Sequence, residues 1–409
     1  MIKNLTLNDY TQENIINQLE TTDKLLQKVA SKLSHKEKKA TIYAMPDLGI
    51  AQNVSRMLGG FYTGACYTWA TDEPFIPVDS TVNVCGTAVY KLNKSISNEE
   101  FINRVNNVLN NRQSYLDFVN SYLPPEVLKV IDINDTSKYY WNYNKGNHFI
   151  IFAESDGEYG LEKGQYMIVH ASAIEFKKDN LEFGLYPVKN NWYYDDIKVE
   201  YDEESKRYLR YITGEKAQKF YSIASYLREF NKVRNRYFCT AVLGDLLQYE
   251  VVNISHYGMP TINSVCIGCQ WEQLDYTLLT APGNDIFLVH PNLSSNNSFN
   301  LNDLKITLSP HGCGVRTNNE NEKITYIDKD KIKIGTKIYE QGTSVNIGVD
   351  VSIRTKDIQV SELDNHIVNI LKKCPGAIFG RLKQRYAKTK NGDFEYFIDD
   401  KSKKYRYKK

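Results

Sequence analysis

Short apolar runs alternate with longer amphipathic segments in this chain, and this alternation limits the folds that it can adopt. Four runs rich in β-branched and aromatic residues predict strands: HFIIFAE (148–154), YMIVH (166–170), DIFLVH (285–290) and LKITL (304–308). Four segments with apolar residues at helical spacing predict helices: 10–34, a segment that follows Ser97, 218–248 and 361–373. Strands and helices that alternate in this way indicate an α/β (α+β) fold.

The composition excludes several classes of protein. Of the 409 residues, 42% are hydrophobic and 24% are charged, which is ordinary for a globular protein and excludes a disordered or collagen-like chain. No apolar run reaches the roughly 20 residues that cross a bilayer, and the start MIKNLTLNDY lacks the pattern of a secretory signal. We therefore predict a cytoplasmic protein that does not bind a membrane. In that compartment we do not expect the seven cysteines to form a disulfide framework, and any cysteine with a special role is more readily a ligand or a reactive thiol.

The net charge of +2 is unevenly distributed. From Arg381 to Lys409 there are eleven Lys and Arg residues against four Asp and Glu, so this segment carries +7 and the rest of the chain −5. The end KKYRYKK interleaves basic and aromatic residues, which suits the phosphate backbone of RNA. A solvated tail that only aids solubility is the alternative, and the sequence favours neither reading.

Four of the seven histidines and one cysteine lie in sequences that suit a metal or catalytic site. His148 lies in GNHF, a glycine turn that opens a predicted strand, and His170 ends another predicted strand. His256 follows the long helical segment, and His311 lies in PHGCG. Cys85 is followed directly by a glycine. Imidazole and thiolate both bind transition metals, and a thiolate can bridge two of them. Taken singly, each histidine is more often a core or surface residue, and the spacings match no local metal motif.

The order of these segments resembles that of the RtcB-type RNA-splicing ligases. The matching series is MPD (45–47), NVCG (83–86), GNHF (146–149), IVH (168–170), SH (255–256), PG (282–283) and HGCG (311–314). The family carries MPD, DxxCG, GGGNHFIE, a strand that ends in IHSGSRG, AHN, PGSMG and HGAGR in the same order. The resemblance spans roughly 40–316, and GNHF and HGxG are its most specific parts.

The resemblance implies an RtcB-like single large domain with mixed sheets around a central metal cleft. We divide the chain into an N-terminal helix (1–40), an RtcB-like catalytic region (41–320), and a C-terminal part with the basic tail (321–409) packed on the same domain. The border near 320 is where glycine-punctuated sequence gives way to Lys- and Asp-rich sequence. The implied activity joins RNA 3′-phosphate or 2′,3′-cyclic phosphate ends to 5′-hydroxyl ends, as in RNA repair or tRNA splicing. The implied cofactors are GTP and two manganese ions, and the need for an activating protein is left open.

The resemblance also assigns roles to individual residues by position. His311 would be the nucleophile that takes GMP, and Asp47 would lie near the RNA ends. One manganese ion would be held by Cys85, His170 and His256, and the other by Cys85 and His148. The residues implied in binding GTP are Asn147, Gly312, Gly314 and Asn284, the last in place of the family's serine.

The chain departs from the family pattern at several of these segments. Val82 replaces the aspartate that lies three residues before the family's cysteine, so the second manganese ion lacks a carboxylate ligand. The nearest replacements are Asn83 and Asp79. The arginine of HGAGR is Val315 here. Two alternatives therefore stay open: a metal-dependent RNA phosphoesterase, and a non-catalytic RNA-binding protein on a degenerate ligase fold.

Overall fold

A computed structural model describes most of the chain. The described residues are 1–122, 141–143, 146–173, 181–280, 283–301, 304–312, 314–317, 319–345, 349–350, 360–399 and 404–408. Pro282 and Cys313, which belong to two of the matching segments, lie outside the described residues.

Within the described residues, helices and strands are interspersed. The helices are α1 (Tyr10–Ser34), α2 (Val54–Leu58), α3 (Asn98–Asn110), α4 (Arg112–Tyr122), α5 (Gly214–Leu243) and α6 (Val360–Lys373). The strands of the first half are β1 (Ile2–Asn4), β2 (Ala40–Gly49), β3 (Thr63–Trp69), β4 (Phe75–Pro77), β5 (Gly86–Leu92), β6 (Phe149–Ser155), β7 (Gly164–Ala171), β8 (Lys198–Asp202) and β9 (Arg207–Thr213).

The strands of the second half are mostly shorter. They are β10 (Leu247–Ser255), β11 (Tyr257–Gly258), β12 (Ser264–Ile267), β13 (Cys269–Gln270), β14 (Tyr276–Leu278), β15 (Ile286–Pro291), β16 (Ser298–Leu301), β17 (Leu304–Thr307), β18 (Ser309–Pro310), β19 (Val315–Arg316), β20 (Ile324–Asp328), β21 (Lys331–Ile334), β22 (Lys337–Glu340), β23 (Val349–Asp350), β24 (Gly376–Thr389), β25 (Gly392–Asp399) and β26 (Lys404–Lys408). The predicted mixture of helix and sheet is confirmed.

A nine-stranded antiparallel sheet forms the centre of the fold. Its order is β10-β5-β7-β6-β24-β15-β14, and β25 and β26 extend it from β24. Because β10 also contacts β14, the sheet is nearly closed into a barrel. The basic C-terminal segment therefore supplies a strand, β24, that pairs with both β6 and β15 in the middle of this sheet.

A second, five-stranded sheet has the order β1-β2-β3-β12-β11. The amphipathic helix α1 packs on this sheet, and its Ile15, Leu19 and Val29 side chains are completely buried in the core. Asp9 caps this helix by accepting a hydrogen bond from the Gln12 backbone NH (2.9 Å). The predicted helix over 10–34 is confirmed at both ends.

The long helix α5 packs against β5, β7 and β10. It begins and ends earlier than the predicted 218–248: Gly244 follows its last residue with φ of +52°, a backbone region that favours glycine, and Leu247 already begins β10. The end of the prediction is therefore wrong, because an apolar pattern does not show where the backbone turns. Among the helices described, none combines the length and the apolar character needed to cross a membrane.

Candidate metal centre

Three neighbouring strands of the central sheet bring the candidate ligands to one edge. Cys85 directly precedes β5, His170 lies near the end of β7, and His256 directly follows β10. The register pairs Gly86 with Ala171 on one side and with Ser255 on the other. The His256 backbone NH also donates to the Cys85 carbonyl (3.0 Å). Residues from three distant parts of the sequence therefore meet because their strands are adjacent.

The side chains of Cys85, His170 and His256 form a buried group that could bind a metal ion. One ligand atom from each lies within 4.8 Å of the other two, and all three side chains are buried. The Nε2 atoms of His170 and His256 are 3.2 Å apart. Thiolate and imidazole are donors that suit transition metals.

The electrostatics at His256 favour neutral imidazole, the form that binds metals. Burial, together with His170, His311 and His148 nearby, lowers the pKa of His256 well below its usual value. The Nδ1 atom of His256 is buried and finds no hydrogen-bond partner within the described part of the chain. Nδ1 of His170 lies 3.2 Å from the Asn147 carbonyl, to which it donates, so its Nε2 presents a lone pair to the group.

His148 lies beside this group rather than inside it. Its Nε2 is 4.0 Å from Cys85 Sγ and 3.1 Å from the Ser172 hydroxyl. Its Nδ1 donates to the Asn142 carbonyl (2.8 Å). Asn142 adopts φ of +61°, uncommon for a residue with a side chain, and its amide donates to the Ser172 carbonyl (2.6 Å). This loop holds the lone pair of His148 Nε2 on the Cys85 side.

His311 and Asp47 form a buried hydrogen-bonded pair next to the metal group. Nδ1 of His311 lies 2.6 Å from Asp47 Oδ2, and the Gly312 backbone NH donates to the same oxygen (2.8 Å). The ring centroids of His311 and His256 are 5.5 Å apart. Because Asp47 accepts the proton on Nδ1, Nε2 of His311 carries the lone pair. This geometry suits a nucleophile or a general base.

A cavity of about 760 Å³ connects these groups. Cys85, His148, His170, His256 and His311 all line it, together with Asn147 and Gly314. Asn147 is exposed at its wall. Among the described residues that line the cavity there is no aspartate or glutamate, whereas Arg56 and Lys390 both line it. The cavity is therefore suited to an anionic ligand.

The other residues implied in binding GTP are placed differently. Gly312 and Asn284 are not among the described residues that line the cavity. Asn284 is completely buried, and its carbonyl accepts a hydrogen bond from Gln384 (2.6 Å). A Cβ atom on Gly312 would lie 2.2 Å from the Leu279 carbonyl oxygen, and one on Gly314 would lie 2.2 Å from that of Asp47. Both glycines are thus required by the packing of their own loop.

The departures from the family pattern are also visible in the structure. Val82 is completely buried in the hydrophobic core. Asp79 is an ion-pair partner of Arg210 and does not line the cavity. Asn83 does line it, and its buried Oδ1 has no hydrogen-bond partner among the described residues. Of the two replacements considered, only Asn83 offers an oxygen to the cavity.

Sequence reasoning missed the polar side chains that hold the ligand strands in place. Asn231 in α5 donates to the carbonyls of Val84 (3.1 Å) and Ala171 (2.9 Å), one residue away from Cys85 and His170. Arg234, one turn later, donates to the Ser172 carbonyl. Asn231, Arg234 and Asn235 occupy spacings i, i+3 and i+4 on the buried face of a helix. Polar residues at that spacing among apolar ones were the signal that could have revealed them.

In comparisons with known proteins, no protein-family model and no curated protein matches the chain.

Proposed function

We propose that this chain is a divergent RtcB-type RNA ligase that joins RNA 3′-phosphate or 2′,3′-cyclic phosphate ends to 5′-hydroxyl ends with GTP and manganese. One observation carries the proposal. A single cavity without acidic side chains in its described lining contains the Cys85–His170–His256 group, His148 and the nucleophile candidate His311. The order in which these residues occur along the chain supports the same assignment.

The donor set is compatible with the metal that the proposal requires. Cys85, His170 and His256 would hold one ion, and Cys85, His148 and Asn83 would surround a second. A divalent ion at this position would withdraw charge from phosphate oxygens and align them for displacement. A thiolate with two imidazoles also suits zinc, so reconstitution with each metal belongs in the test.

In the first proposed step His311 acts as the nucleophile. Asp47 holds the proton on Nδ1, so Nε2 of His311 attacks the α-phosphorus of GTP, a phosphorus–nitrogen bond forms, and pyrophosphate leaves. Because Asp47 also accepts from the Gly312 backbone NH, it fixes the loop that carries the ring. The buried carboxylate stabilises the positive charge that develops on the imidazole during the attack.

The remaining steps pass GMP to RNA and then release it. An oxygen of the RNA 3′-phosphate attacks the phosphorus on His311, the phosphorus–nitrogen bond breaks, and the RNA end carries GMP through a diphosphate. The 5′-hydroxyl oxygen of the second RNA then attacks the 3′-phosphorus, and GMP leaves. Nε2 of His311, free again after the second step, can accept the proton that this hydroxyl loses. A cyclic phosphate must first be opened by water.

One observation favours the phosphoesterase as a second candidate. The buried Val82 gives the second metal position no carboxylate, so a single ion that activates water would be enough for hydrolysis of a cyclic phosphate. That enzyme would act without GTP, and loss of His311 as a nucleophile would not abolish the opening of the ring.

The test is covalent transfer of label from α-³²P-GTP in the presence of Mn²⁺ or Zn²⁺, read on a denaturing gel. We expect an acid-labile labelled band that is absent in His311→Ala and absent when the label is on the γ-phosphate. His290→Ala is the matched control, because His290 is exposed and paired with Asp275 outside the cavity. No band with either metal would contradict the ligase, and opening of a cyclic phosphate in the same samples would then identify the phosphoesterase.

A further inference from the structure

Arg56 differs from three other mostly buried arginines, each of which forms an ion pair. Arg210 pairs with Asp79, Arg316 with Asp9, and Arg381 with Asp285. Arg56 is half-buried in the short helix α2, and no carboxylate among the described residues forms an ion pair with it. Its positive charge is therefore not neutralised by any acidic group in the described structure.

The guanidinium of Arg56 is also incompletely hydrogen-bonded. Nη2 donates to the Thr63 hydroxyl (3.1 Å), and this is the one side-chain hydrogen bond that Arg56 makes to the described residues. Nε is buried and has no partner within the same residues. A buried N–H without an acceptor is costly, and a guanidinium presents its donors as a fork that matches two oxygens of one phosphate. The unused donors are those that a phosphate would accept from.

Arg56 lies on the wall of the cavity that carries the candidate site. Its guanidinium carbon is 5.1 Å from the ring centroid of Tyr257, the residue that follows His256. Its partner Thr63 lies next to Gly268: a Cβ atom on Gly268 would be 2.7 Å from Thr63 Cγ2 and 2.9 Å from His311 Cε1. A ligand held by Arg56 would therefore lie close to both His256 and His311.

Arg207 also forms no ion pair with a carboxylate in the described part of the chain, but its surroundings differ from those of Arg56. It is completely buried, its terminal nitrogens donate to Gln18 and Thr22, and its guanidinium stacks on Tyr326 at 3.8 Å. Arg207 does not line the cavity. Arg56 lines it, and the described lining has no acidic side chain.

We propose that Arg56 binds a phosphoryl group of the ligand in this cavity, with Thr63 orienting the guanidinium. Lys390, in the turn between β24 and β25, lines the same cavity and also forms no ion pair with a described carboxylate. It supplies a second positive charge for the same anion. The binding of a phosphoryl group by Arg56 is inferred from these contacts and from the charge of the cavity lining, without reference to the proposed function. Whether the group belongs to GTP or to the RNA end rests on the proposed function.

The test compares matched ligands that differ only in phosphate. The probes are GTP against guanosine, and a short RNA with a 3′-phosphate against the same RNA with a 3′-hydroxyl. Binding to the full chain is measured by calorimetry, with Mn²⁺ and again after chelation. We expect the wild type to prefer the phosphorylated member of at least one pair, and Arg56→Gln to weaken that preference by roughly ten- to a hundredfold.

Three variants separate binding from folding. Arg56→Lys keeps the charge but loses the fork, so it should retain part of the preference. Thr63→Val removes the acceptor that orients Arg56 and should cause a smaller loss, which keeps the proposal testable if Arg56→Gln does not fold. Arg104→Gln, which removes ion pairs with Glu100 and Asp245 outside the cavity, should leave the preference for the phosphorylated probe unchanged.

The two pairs of probes identify the source of the phosphate. If Arg56→Gln loses only the preference for GTP over guanosine, Arg56 binds the nucleotide. If it loses only the preference for the 3′-phosphate RNA, Arg56 binds the RNA end. The proposal is overturned if folded Arg56→Gln discriminates as well as the wild type, or if the wild type prefers no phosphorylated probe. Label transfer to His311 is measured separately, so preference without transfer would refute the ligase and leave the role of Arg56 standing.

Discussion

The Nε2 atoms of His170 and His256 lie 3.2 Å apart at the ends of two strands that flank β5. Because Nδ1 of His170 donates to the Asn147 carbonyl, its Nε2 is an acceptor. Without a metal, Nε2 of His256 carries the proton and donates a hydrogen bond to Nε2 of His170. A metal ion at the same place would use both lone pairs, and the proton of His256 would move to its unpartnered Nδ1.

We expect Cys85→Ala to abolish metal binding, because Cys85 is the thiolate in the group and faces His148 as well. The measurement is metal content by mass spectrometry after reconstitution with Mn²⁺ or Zn²⁺ and dialysis. In the wild type, bound metal should also raise the unfolding temperature, and this increase should vanish in the variant. Cys239→Ala is the control, since Cys239 is equally buried but lies in α5 outside the cavity. Unchanged metal content in Cys85→Ala would refute the assignment.

We expect Asp47→Asn to slow label transfer by roughly a hundred- to ten-thousandfold while the fold is kept. The amide of asparagine can donate as well as accept, so it no longer fixes the proton of His311 on Nδ1. The rate of transfer is measured at saturating GTP, beside the circular dichroism of the folded protein. Transfer at the wild-type rate would show that His311 needs no fixed tautomer, and the role given to Asp47 would be withdrawn.

Gly268→Ala should displace His311. Gly268 has φ of +64°, and an added Cβ would lie 2.9 Å from His311 Cε1. We expect label transfer to fall at least about tenfold, because small displacements of reacting groups are costly. Gly342→Ala is the matched control, because Gly342 has φ of +81° and an added Cβ would have nothing within 4 Å. This substitution should lower the unfolding free energy by about 1–2 kcal/mol through backbone strain and leave label transfer unchanged. Equal rates of label transfer in Gly268→Ala and Gly342→Ala would show that the contact between Gly268 and His311 does not position the ring.

Asn231→Ala should weaken metal binding without touching a ligand. Asn231 joins the backbone next to Cys85 to the backbone next to His170, so its loss should lower metal affinity by roughly ten- to a hundredfold. Each carbonyl left without its donor should also cost about 1–3 kcal/mol of unfolding free energy. Ser222→Ala, on the exposed side of the same helix, serves as the control. Full metal affinity in a destabilised Asn231→Ala would restrict its role to folding.

His366 predicts part of the pH dependence of stability. Burial, and then Arg316 nearby, lower its pKa below 6.5, while Asp47 and Asp9 oppose the shift. Below that pH the unfolded chain takes up the proton more readily than the folded one, so stability falls as the pH drops. The stabilising contribution is complete above about pH 6.5.

We therefore expect His366→Gln to lose less unfolding temperature than the wild type when the pH is lowered from about 7.5 to about 5.5. The measurement is thermal unfolding of both proteins at the two pH values. His35→Gln, at the exposed end of α1, is the control for loss of a surface histidine. An identical decrease in His366→Gln and in the wild type would show that the folded and unfolded states bind this proton equally well.

The sequence by itself determined several of the elements and the candidate ligands. The helices over 10–34 and 361–373 and the strands around 148–154 and 166–170 follow from local periodicity, which depends on neighbours a few residues apart. Residue chemistry also singled out Cys85 and the four histidines, because imidazole and thiolate are distinctive wherever they occur.

Only the tertiary structure decided which of these residues meet. Cys85, His170 and His256 form one group because β10, β5 and β7 are adjacent in the sheet, and no local pattern encodes that order. The same packing gave Asn231 its two carbonyl acceptors, and it placed Arg56 on the cavity wall with no carboxylate partner among the described residues. The spacing of Asn231 on a helix could mark it as a buried polar residue, but its partners, like those of Arg56, are set by the groups that folding places around it.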